Sequence, residues 1–128
     1  MSNRIFAALV LVFSIVACTP LDPPPPPNPN APVIAVWANT DVSVTNNTNK
    51  TVYFIGFPVR LAPVILITTD TRPNSELQVA AMSTKRFPLT RFNASTPDTL
   101  MFSWWHLGTK VNDSLYKADS VRTFRVFP

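Results

Sequence analysis

One thiol, one imidazole and seven carboxylates are all that this 128-residue chain offers to nucleophilic, acid–base or metal chemistry. Cys18 is the only cysteine, so neither an internal disulfide nor a multi-thiol zinc site can form. His106 is the only histidine and has no second imidazole with which to hold a metal or complete a relay. The acids stand singly, with Asp113 and Asp119 in a turn-like stretch, and no cluster suggests calcium. Gly-x-Ser-x-Gly, P-loop and Gly-x-Gly-x-x-Gly patterns are absent. The expectation is a non-enzymatic protein with no catalytic residues, no metal and no cofactor.

The aromatic run Phe102-Ser103-Trp104-Trp105-His106 is the other group able to act on a ligand. In a strand, neighbouring residues point to opposite faces. Trp104 shares parity with Leu100 and Phe102 and is assigned to the core. Trp105 then faces outward near Met101 and His106, as a platform for a sugar ring or a partner protein. The alternative is a Trp105 lying beneath a loop or in a second packing layer. Trp37 carries the same ambiguity.

The thiol has a specific setting. Met1 to Arg4 is polar with one positive charge, and Ile5 to Val16 is apolar except for Ser14. Such a start, followed by a small residue, is a secretory signal peptide. The apolar run is too short to span a bilayer, which takes about 20 residues. Ile15-Val16-Ala17-Cys18 resembles the lipobox of bacterial lipoproteins at all four positions. The resemblance implies that Cys18 is joined to diacylglycerol, that residues 1–17 are removed and that the new amino group is acylated. Two or more acyl chains anchor stably, at about 0.8 kcal/mol per buried CH₂. The membrane is then the first expected partner. Thr19, in place of the Asp that retains many lipoproteins at the inner membrane, favours the outer membrane, facing either the periplasm or the cell surface.

Losing Arg4 lowers the net charge of +4 by one. That charge is mild and scattered, Lys85-Arg86 being the only adjacent pair, which excludes a nucleic-acid footprint. Residues 18–32 form the lipidated cysteine and a linker. Pro20 to Pro32 includes an unbroken run from Pro23 to Pro27, so polyproline II is expected. Fully extended, these residues would make a spacer on the order of 40 Å.

Residues 33–128 read as one all-β domain. Val33–Trp37 suits a short strand, with an edge place open to it, and Val42 and Val44 alternate with polar neighbours. Asn46–Lys50 is a turn rich in Asn, after which Thr51–Phe57 returns as the second strand of a hairpin and a central strand. Val64–Thr69 forms a continuous apolar strand closed by Asp70–Ser75, and Leu77, Val79 and Ala81 alternate in another. Phe87 and Leu89 flank Pro88 in a segment suited to an edge. Leu100–Trp105 and Val121–Phe127 complete the set, while Asn112–Asp119 reads as a helical turn capped by Asn112 or as a strand. Short strands about ten residues apart predict a small antiparallel β-sandwich, immunoglobulin-like, with a small barrel as the alternative.

Asp98-Thr99-Leu100, Asp113-Ser114-Leu115 and Asp119-Ser120-Val121 resemble the Asp-Ser/Thr-aliphatic acceptor for O-glycosylation in Bacteroidetes. That resemblance would place sugars on Thr99, Ser114 and Ser120; turn chemistry also explains the triplets. The hairpin sequence Val44–Phe54 and the ending Phe-Arg-Val-Phe-Pro are similar to those of uncharacterised β-sandwich lipoproteins of Bacteroidetes envelopes. The expected function is a lipid-anchored envelope protein that binds a protein partner or serves structurally. A glycan-binding module using exposed Trp residues is the alternative.

Overall fold

The computed structural model describes residues 22–64 and 68–128. Cys18 and the lipobox-like residues before it lie outside the described residues, as does the apolar stretch Ile65–Ile67.

Among the described residues, seven strands form two antiparallel sheets. They are β1 (Val33–Ala38), β2 (Asp41–Asn46), β3 (Val52–Pro58), β4 (Gln78–Val79), β5 (Ser83–Pro88), β6 (Leu100–Lys110) and β7 (Tyr116–Val126). One sheet has the order β1-β2-β5 and the other β4-β3-β6-β7. Strand two pairs with strand five in one layer and three with six in the other, the interlocked connectivity of immunoglobulin-like sandwiches.

The period-two pattern produces this arrangement directly. Val42, Val44 and Asn46 of β2 point inward while Asp41, Ser43 and Thr45 point out. Phe54 of β3 meets Phe87 from the opposite sheet edge-on at 4.8 Å and stacks near Phe102 at 5.0 Å. Fully burying a Val or Phe side chain contributes about 1.5–3 kcal/mol, so this cluster is the principal stabilising element. β3 is apolar on both faces and lies between β4 and β6 as a central strand. β1, β4, β5 and β7 are edges, and Pro88 ends β5 at one of them.

Several local expectations change. β2 and β3 are not a hairpin, because they lie in different sheets and Asn47–Thr51 crosses between them. Their intervening turn looks like a hairpin loop in sequence, but β2 takes the central place of the three-stranded sheet, and β3, apolar on both faces, pairs with β4 and β6 in the other. The apolar strand expected at Val64–Thr69 does not extend through its described ends. Val64 sits in a turn, 78% exposed, and Thr68 and Thr69 are irregular. Around Leu77–Ala81 only Gln78–Val79 pairs. The stretch Asn112–Asp119 is a bend leading into a strand and not a helical turn: Asn112 Oδ1 accepts the backbone N–H of Ser114 (3.0 Å) and of Leu115 (2.9 Å), and β7 starts at Tyr116.

The linker is not one straight rod. Ala31 N–H donates to the Asn28 carbonyl at 3.1 Å, and Asn30 N–H donates to Asn28 Oδ1 at 3.0 Å. Asn at the first position and Pro29 at the second suit a type I turn, so the chain reverses here. Asn47 then fastens the exit, donating from its backbone to the Pro32 carbonyl and from Nδ2 to that of Ala31, both at 2.9 Å.

Candidate functional site

The adjacent Trp pair is split between two layers. Trp104 joins the core cluster, as its parity with Leu100 and Phe102 requires. Trp105 points to the opposite face but is not an exposed platform, being only 1% exposed. The segment 68–77 folds over that face. Tyr53, paired with Trp105 across β3 and β6, donates its hydroxyl to the Pro73 carbonyl at 3.0 Å. Tyr116 N–H ties the same segment to β7 through the Thr71 carbonyl at 3.2 Å. An apolar outer face on a central strand must be covered, and this loop covers it.

Trp37 is half-buried and packs against the core from β1, so the sandwich interior separates it from Trp105. The Nε1 atoms of both rings are buried and lack a partner among the described residues. His106 stands in β6, its Nδ1–H donating to the Thr51 carbonyl at 3.0 Å and its ring edge-on to Trp104. The carbonyl can only accept, which fixes the donor at Nδ1. The proposed patch of Trp105, His106 and Trp37 is therefore not a single surface.

The cleft between the covering loop and the sheet encloses about 290 Å³ and is bordered by Trp105, Asp70, Arg72, Glu76 and Arg91. Its charges are matched internally. Arg72 Nη2 lies 2.8 Å from Asp70 Oδ2, and Arg91 Nη1 lies 2.6 Å from Glu76 Oε2. The Arg72 hydrogen bond holds the Asp70 carboxyl down at about 2. Outside the cleft, Arg60 reaches Asp98 at 3.0 Å and draws that carboxyl below its ordinary range. With each acid committed to a cation, these pairs are structural clasps rather than acid–base pairs. Among the described residues no three His, Cys, Asp or Glu side chains gather around a common point.

The three Asp-Ser/Thr triplets occupy different settings. Thr99 is half-buried, and its carbonyl accepts Val59 N–H at 2.8 Å. Ser114 is exposed in the turn made by Asn112, and Ser120 is exposed on β7 with a φ of 52°. The two serines lie in the turn and on β7 of the β6–β7 hairpin, whereas Thr99 precedes Leu100 at the open end of the same hairpin.

No protein-family model matches the chain, and no curated protein or solved structure shows significant similarity to it.

The residue that sequence reading passed over is Asn46. It is fully buried at the end of β2, and its Nδ2 donates to the carbonyls of Lys50, Val79 and Ala80. Its Oδ1 accepts from Thr48 N–H at 2.9 Å and from the Thr48 hydroxyl at 2.7 Å. The signal was its inward parity with Val42 and Val44, where an amide is out of place unless satisfied.

Proposed function

We propose that this chain is a lipid-anchored protein of the cell envelope whose β-sandwich binds a protein partner or serves structurally in an envelope assembly, without catalysing a reaction. The observation that carries the reading is Ile15-Val16-Ala17-Cys18 at the end of a short apolar run, the residues a lipid-modifying pathway would use. The sandwich behind it has four edge strands, and Asp70, Glu76 and Asp98 are each paired with an arginine, features suited to contact rather than turnover. A glycan platform is not part of the proposal, since Trp105 is covered and Trp37 packs into the core.

Mass spectrometry of the native chain tests the anchor. The expected product starts at Cys18 and carries the added mass of a diacylglycerol and an acyl chain. Cys18→Ser should move the protein from the membrane to the soluble fraction. An unmodified thiol, or residues 1–17 still attached, overturns the reading. Cross-linking in intact envelopes tests the partner, and repeated failure to recover any adduct counts against it.

A further inference from the structure

The four edge strands are not alike, and β4, only two residues long, is too short to offer a ladder. β5 carries Lys85, Arg86 and Pro88, and β7 carries Lys117, Arg122 and Arg125, charges and a proline that discourage strand addition. β1, Val-Ile-Ala-Val-Trp-Ala, has no charge at all. It pairs with β2 on one side, and no other backbone hydrogen bond reaches Val33–Ala38 among the described residues.

A groove of about 500 Å³ follows that free side. Four consecutive β1 residues, Val33 to Val36, border it although alternate side chains point to opposite faces, so the groove runs along the strand's edge. The other walls are the end of β7 and Pro24–Pro27, which the turn at Asn28–Ala31 folds back beside the strand. Proline has no N–H, so this strap can shade the edge but cannot complete a β ladder. The space left between strap and strand is far from the close packing of a protein interior.

We propose that the free edge of β1 is a pairing surface for β1 of a second copy of this chain, with Pro24–Pro27 as the cap that holds it closed. The strand is self-complementary. An antiparallel pair with its twofold axis at Ala35 sets Ile34 opposite Val36 of the other copy and Val33 opposite Trp37, so outward residues meet outward and inward meet inward. The result is a continuous six-stranded sheet. Approach through β5 would instead bring Lys85 and Arg86 against like charges, and β7 presents four charged side chains, Lys117, Asp119, Arg122 and Arg125. The inference names the partner left open in the proposed function, but its test does not depend on lipid at Cys18.

The test measures the mass of the full chain by sedimentation in density-matched detergent. The wild type should be a monomer. Replacing Pro24, Pro25, Pro26 and Pro27 together by Ser should double the mass, and adding Val36→Lys should return it to a monomer. Val36 is 39% exposed, so the lysine is accommodated in the fold, which circular dichroism checks. A strap variant that stays monomeric overturns the self-pairing and leaves the edge to an unlike strand. A dimer that survives Val36→Lys, or a wild type already dimeric, also overturns the proposal. The mass of the Cys18→Ser chain, measured alongside, separates failure of the edge from failure of the anchor.

Discussion

The side-chain amide of Asn46 donates to the Val79 carbonyl at 3.0 Å, joining the end of β2 to β4 of the opposite sheet. Asn46→Leu fills similar space but removes the amide donor from the Val79 carbonyl and the acceptor from Thr48 N–H, while the Lys50 and Ala80 carbonyls keep the Thr48 and Ser83 hydroxyls. The expected loss is about 3 kcal/mol, the upper end for an unsatisfied buried polar group, read from the denaturant midpoint. Asn46→Asp turns a donor into an acceptor facing those carbonyls. The carboxyl's folded pKa is then raised above its unfolded value of about 3.9. Its protonated form is therefore favoured on folding, so this variant is nearest to wild type below about pH 4 and weakens as pH rises through the raised value. An Asp variant equally stable at pH 4 and pH 7 would contradict the geometry.

Gly56 lies against the ring of Phe92. A Cβ added there would sit 2.7 Å from Phe92 Cδ1 and 3.0 Å from Cε1. Phe92 is itself buried near Phe54, so the ring has little room to retreat. Gly56→Ala should cost about 1–3 kcal/mol through overpacking. In the Phe92→Leu background the same substitution should cost less, and a double-mutant cycle measures the difference. Additive effects would place the two residues out of contact.

The Asp70–Arg72 clasp sets an acid limit on the covering loop. Asp70 is held at about 2 when folded, first by the Arg72 hydrogen bond, against about 3.9 unfolded. A depressed carboxyl contributes stability above the unfolded value, and the contribution is lost as pH falls through the folded one. The melting temperature should therefore decline between about pH 4 and pH 2, and Asp70→Asn should flatten that decline. Both groups are partly exposed, so salt should reduce the effect. An unchanged profile in Asp70→Asn would remove the clasp from the account.

Burial of Trp104 and Trp105 predicts blue-shifted emission that acrylamide quenches weakly and polysaccharides leave unaltered. Tyr53→Phe deletes the hydroxyl that ties the loop to Pro73, at a cost of about 0.5–1.5 kcal/mol. Quenching should rise in that variant as the loop loosens over Trp105. Strong quenching in the wild type would mean that the loop does not cover the ring.

Much of this fold can be read from local pattern. Val42 and Val44, Leu100 with Phe102 and Trp104, and the interruptions at Pro58 and Pro88 each reveal strand, parity or edge from neighbours a few residues apart. The signal-like start and Cys18 are equally local, since their reading depends on order along the chain and not on folding. Tertiary structure decided what depends on residues distant in sequence. Whether Asn46–Lys50 closes a hairpin or crosses between sheets is settled by β5 and β6, which arrive some forty residues later. Trp105 could have faced water until segment 68–77 covered it, and alternation alone specifies a side of the sheet, not what lies above it. Pro24–Pro27 is extended by its own chemistry, but only the turn at Asn28–Ala31 and the empty edge of β1 bring it back beside the sandwich.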